Sequence, residues 1–154
     1  MVIKIIKIIA ALTMLIDHTG SFIFPDILIF RIIGRLSLPL YSYCLIQGIK
    51  KTKDCKAYFI KLYGIAILAQ IILWSFDTQK NFNILFLFCI FFIAVKLRQK
   101  YNPLWYLIGA ITEYIPIDYG LYGFLLLIII YETWDKKINH YMLPFVILLN
   151  TAEM

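Results

Sequence analysis

An all-α, polytopic integral membrane bundle of about six transmembrane helices, followed by a short C-terminal apolar segment, is the fold class this sequence predicts. Three observations point to it. Of the 154 residues, 62% are hydrophobic and the mean hydropathy is +0.84, well above the apolar share of about 45–50% in soluble domains. Apolar runs approaching the roughly 20 residues of a spanning helix recur along the whole chain, separated by short polar breaks. Lysine and arginine collect in alternate breaks, the charge pattern of a multi-pass protein.

The elements follow in order. A first helix is expected over about 5–24, ending at the turn around Pro25-Asp26. Lys4 and Lys7 ahead of an apolar run resemble a signal peptide, but no small-x-small cleavage site follows, so a retained helix is expected. A second helix is placed over about 32–49 with Pro39 inside it, a third over about 57–76 and a fourth over about 82–97. The fifth, about 103–117, is short, and the sixth covers about 119–134. The last apolar stretch, 141–149, has roughly half the length a span needs. It is either a segment that dips into the membrane or a sign that the chain stops before such a fold usually would. No Gly/Ser-rich linker, low-complexity tract or internal repeat divides the chain, so 1–154 reads as one domain.

Charge orients these helices. Lys4 and Lys7 precede the first. Lys50, Lys51, Lys53, Lys56 and Lys61 follow the second, Lys96, Arg98 and Lys100 the fourth, and Lys136 and Lys137 the sixth. The positive-inside rule then puts the N-terminus in the cytoplasm of a multi-pass cell-membrane protein, with Arg31 and Arg35 as exceptions on the outer side. Loop lysines facing anionic lipid account for the net charge of +6, and no nucleic-acid partner is implied. Cys44, Cys55 and Cys89 have neither disulfide nor metal spacing, and no metal site is expected.

Asp17-His18 is the most informative pair, because it interrupts the first apolar run. An aspartate at the centre of a spanning helix costs about 2.5–3.5 kcal/mol on insertion scales, so such residues mark function or a buried polar anchor. Histidine titrates near neutral pH and suits a general base or an acyl carrier. Thr13, Asp17 and Gly20 form a polar-to-small stripe at helical spacing, which suits a helix facing a bundle interior. Arg31 and Arg35, four apart, share a helix face and can grip one anion, or else snorkel to the interface or pair with Asp26 and Asp17.

Met14-Leu15-Ile16-Asp17-His18-Thr19-Gly20, the segment Arg31-Ile32-Ile33-Gly34-Arg35-Leu36-Ser37-Leu38-Pro39-Leu40, and Gly48 with Thr52 together resemble the TraX family. Asn83-Ile84-Leu85-Phe86 is similar to that family's Asn-x-Leu-Phe segment, and Asp118-Tyr119-Gly120-Leu121-Tyr122-Gly123 to its late Asp-Tyr-Gly-x-x-Gly segment. The chain departs from the pattern at Ala69-Gln70-Ile71-Ile72, where the family tends to have Ser-Gln-x-Pro, and in its shorter C-terminus.

The resemblance implies a membrane-bound O- or N-acetyltransferase moving an acetyl group from cytoplasmic acetyl-CoA, the donor substrate, to an acceptor at the outer face. That acceptor would be a peptide amine such as a pilin N-terminus, or a glycan or lipid hydroxyl. It also implies His18 as the group that carries the acetyl or deprotonates the acceptor, with Asp17 orienting it. Arg31 and Arg35 would hold a phosphate or polarise the thioester, and Asn83, Asp118 and Tyr119 are further binding candidates. The residues alone leave a second class open, a non-enzymatic transport component or accessory subunit of a secretion or assembly system. There, Asp17, His18 and the arginines would form a buried ion network or proton relay.

Overall fold

Isoleucine and leucine recur at 5, 8, 9, 12 and 15 of the first helix, and these side chains are exposed, whereas Ala10, Thr13 and Gly20 on the other side are buried. A water-soluble amphipathic helix has the opposite arrangement. In the computed structural model, which describes residues 2–24, 26–75, 81–98 and 104–134, this helix is α1 (Val2–Phe22). It is followed by α2 (Leu28–Arg35), α3 (Ser37–Lys51), α4 (Cys55–Ser75), α5 (Ile84–Arg98), α6 (Leu104–Ile111) and α7 (Gly120–Thr133). Among the described residues the chain is all-helical, apart from an isolated parallel bridge between Phe82 and Ile117. The 141–149 segment lies outside the described residues.

The chain groups into two compact units, Met1–Gln47 with Ile129–Met154, and Gly48–Ile128. The divisions fall inside α3 and α7, in keeping with a sequence that has no linker.

In the first unit α1 and α2 form a tight antiparallel hairpin. The expected second span begins at Leu28 instead of 32 and is broken at Leu36. Pro39 explains the break: it has no N–H to give the Arg35 carbonyl, and its ring crowds that carbonyl. Leu36 N–H instead donates to Ile33 at 3.2 Å, closing the turn between α2 and α3. Further along the unit, Tyr43 packs on Trp134 with ring centres 4.7 Å apart.

In the second unit Asp54 caps α4, its carboxylate accepting from Ala57 N–H at 2.9 Å. Helices α4 and α5 then run antiparallel, joined by Phe59 on Phe92 (5.4 Å) at one end and Tyr63 on Phe86 (6.1 Å) further along. Phe91 meets Phe124 of α7 edge-on at 5.5 Å. Gly109 and Gly123 let neighbours close in: a methyl on either would meet Phe124 or Leu87 at 2.6 Å. Small residues at helix contacts are the rule where lipid removes the hydrophobic drive for association.

Only Ala66, Gln70 and Leu73 of the 21 residues of α4 are buried, while Ile60, Ile65, Leu68, Ile71, Ile72 and Trp74 are exposed. So apolar a surface with polar Gln70 inside fits a membrane protein. Two stretches, Leu28–Lys51 and Cys55–Ser75, are long and apolar enough to cross a membrane. The described parts of α5, α6 and α7 have 15, 8 and 14 residues, below the roughly 20 of a perpendicular crossing. Helix α6 ends at Ile111, six residues before the expected limit of 117. Thr112, Glu113 and Tyr114 turn back with i−3 bonds to Gly109, Ala110 and Ile111, and Pro116 biases Ile115 out of the helical region.

Candidate functional site

Asp17 and His18 lie in the last turns of α1, both half-buried. Two glycines set how α2 meets them. A methyl built on Gly20 would sit 2.6 Å from Phe30 Cβ, and one built on Gly34 would run into the Asp17 side chain. The Asp17 carboxylate therefore lies directly against the backbone of α2, beside the position of Arg35. The stripe Thr13, Asp17 and Gly20 is the face of α1 turned inward: Thr13 is buried, its hydroxyl donating to the Ala10 carbonyl at 3.0 Å, and Gly20 and Asp17 meet α2.

Three of the expected site residues, Asp17, His18 and Arg35, belong to this hairpin: Asp17 meets α2 at Gly34, and His18 and Arg35 are each one residue along the chain from that contact. Arg31 lies in α2 four positions before Arg35, and its side chain is outside the described part of the structure. Chemically the hairpin combines a carboxylate, an imidazole and a guanidinium in a half-buried setting at the end of an apolar helix. Ionic and hydrogen-bonding interactions are stronger there than in water. The set can move a proton through the imidazole and hold negative charge at the guanidinium.

Asn83, Asp118 and Tyr119 belong to the second unit. Asn83 caps α5, its Oδ1 accepting from Leu85 N–H at 2.9 Å. Its Nδ2 donates to the Ala66 carbonyl and to Gln70 Oε1, each at 2.9 Å, while its backbone N–H donates to the same Gln70 oxygen at 2.8 Å. Gln70 Nε2 donates in turn to the Asn81 carbonyl at 3.2 Å. With 3% exposure, Asn83 ties the start of α5 to α4, and its polar capacity is taken up by that structural work.

Asp118 and Tyr119 sit where the chain enters α7. Phe82 N–H donates to the Pro116 carbonyl at 2.7 Å, and Asp118 N–H returns to the Phe82 carbonyl at 2.9 Å. The pairing forces a sharp reversal: Tyr119 has φ +66° and Gly120 φ +35°. A left-handed conformation is uncommon for a tyrosine, and strain of this kind, about 1–3 kcal/mol, gathers at ligand clamps and active sites. Beside this turn lies a pocket of about 330 Å³ lined by Thr112, Glu113, Tyr119, Gly120 and Tyr122 among others. The Glu113 carboxylate reaches across Gly120, with Oε2 3.8 Å from where a Cβ would stand.

Sequence reasoning did not single out Gly34 or Glu113. Gly34 carried a signal, a small residue on the α2 face that also holds positions 31 and 35. Glu113 carried none, since its place depends on α6 stopping early.

The family model described as "TraX protein" matches residues 3–153. An uncharacterised protein of Rickettsia prowazekii (strain Madrid E) is 31% identical over 112 residues, which cover 71% of this chain and 39% of that relative. The chain thus spans about two fifths of the length of the relative it matches. No solved structure matches the chain. With essentially its whole length covered by the family model, the chain belongs to the TraX family.

Proposed function

We propose that the chain is a multi-pass membrane acetyltransferase with its N-terminus in the cytoplasm, moving an acetyl group from acetyl-CoA to an amine or hydroxyl at the outer face. The observation that carries the reading is the close approach at Gly34, which lays the Asp17 carboxylate against α2 beside Arg35, with His18 next in sequence. Membership of the TraX family, whose resemblance implies acetyl transfer, supports this reading of the reaction class.

In this reading the neutral imidazole of His18 takes the proton of the acceptor as the acceptor attacks the thioester carbonyl. The C–S bond breaks and the departing thiolate receives a proton from the imidazolium. Alternatively the imidazole attacks the thioester carbonyl and takes the acetyl group as the C–S bond breaks and coenzyme A thiolate departs; the acceptor then displaces the imidazole from the acetyl group and its proton goes to that thiolate. In both routes Asp17 stabilises positive charge on the ring, and Arg35 stabilises the oxyanion that forms on the thioester carbonyl.

Arg35→Lys tests the reading. It keeps the charge and removes the planar fork, so turnover of radiolabelled acetyl-CoA by the purified chain should fall far more than thermal stability does. Unchanged turnover would reduce Arg35 to an interfacial anchor. Absence of transfer by the unmodified chain, with every class of acceptor supplied, would favour the transport or accessory-subunit reading.

A further inference from the structure

In the second unit, a trough of about 500 Å³ opens between the N-terminal end of α4 and the C-terminal end of α5. Its walls are Phe59, Ile60, Phe92 and Ile93, and Lys56 and Lys96 stand at its margin. No carboxylate is among the lining residues. The Lys96 ammonium lies 5.9 Å from the centre of the Phe92 ring, which holds it over the wall of the trough by a cation–π contact. Lys56 is in the first turn of α4, whose end is already capped by the Asp54 carboxylate, so the charge available to a ligand at this margin is that of the two ammonium groups.

We infer that this trough binds one anionic phospholipid, an acyl chain lying along Phe59, Ile60, Phe92 and Ile93 and the phosphate held between Lys56 and Lys96. The trough continues into an exposed apolar face: Ile60 is 68% and Ile93 46% exposed. An acyl chain can therefore enter sideways from a bilayer. A nucleotide would need hydrogen-bonding groups along the trough, and its only polar margin is at the basic end. That end carries Lys56 and Lys96, a basic pair of the kind that attracts anionic headgroups at a cytoplasmic surface. The inference stands apart from acetyl transfer, because none of its residues is placed in that chemistry.

The test titrates the purified chain in neutral detergent with phosphatidylglycerol and, separately, with phosphatidylcholine of the same acyl chains. Thermal stability and the lipid retained in intact-complex mass spectrometry are read together. Phosphatidylglycerol should bind more tightly, and Lys56→Gln and Lys96→Gln should each lower that preference about fivefold, the double variant about 25-fold. Lys56→Arg with Lys96→Arg should restore it, and Ile93→Trp, which fills the trough, should weaken both lipids. The inference is overturned by equal affinities in the native chain, by a preference that survives the double glutamine variant, or by displacement of phosphatidylglycerol with equimolar coenzyme A.

Discussion

Gly34→Ala probes the α1–α2 contact with the smallest possible change. The added methyl meets Asp17 Cβ, Oδ1 and Cγ, and even the farthest of these, Cγ, would stand 2.6 Å away. Ordinary contact begins near 3.4 Å, so the methyl intrudes by about 0.8 Å on Cγ and by more on Cβ, which is fixed to the α1 backbone and cannot swing aside. The helices must separate or shift, and overpacking of this kind costs about 1–3 kcal/mol. If the hairpin holds the reacting groups, a displacement of that size also lowers turnover about 10²-fold. Thermal unfolding followed by circular dichroism, run beside acetyl-CoA turnover, reads both effects. Asp17→Gly in the same background removes the colliding atoms and should recover part of the stability without recovering turnover, a coupling that independent sites would not show. Native stability and native turnover in Gly34→Ala would refute the close approach and the site built on it.

Other expectations follow from the second unit and from the charge pattern. Asn83→Ala removes the cap of α5 and two buried donors to α4, and should cost about 2–4 kcal/mol in thermal or denaturant unfolding. Tyr119→Ile should be about 1–2 kcal/mol less stable than Tyr119→Asn, since asparagine tolerates the left-handed region and a β-branched residue does not. Reporters fused after Lys53 or Lys100 should be cytoplasmic, and those near Asp77 or Asp118 external. The reverse would move His18 to the inner half.

Much of the helical framework is legible in the sequence because continuous apolar runs need no partner to be recognised. The starts and ends of α1, α4, α5 and α7 lie within a few residues of where those runs place them. The inward stripe of α1 is legible for the same reason, as Thr13, Asp17 and Gly20 recur at helical spacing. The remainder depends on contacts distant in the chain. Asn83 looks equally like a ligand or a cap until Ala66 and Gln70 are seen to take its amide protons. Pro116 gives a local reason for α6 to end, but the pairing of Phe82 beside Ile117, next to which Tyr119 is left-handed, has no signal in the sequence. Pro39 announces a break, but its position at Leu36 is set by the lost bond to Arg35, one turn back.

In the proposed function, His18 in this hairpin carries acetyl transfer. The most direct measurement is coenzyme A release from acetyl-CoA by the purified chain, compared between the native protein and His18→Ala under conditions where both show the same helical signal and thermal midpoint. Acceptor-dependent release is expected from the native chain, abolished in His18→Ala and lowered about 10–10⁴-fold in Asp17→Asn. Equal release by His18→Ala and the native chain would contradict it.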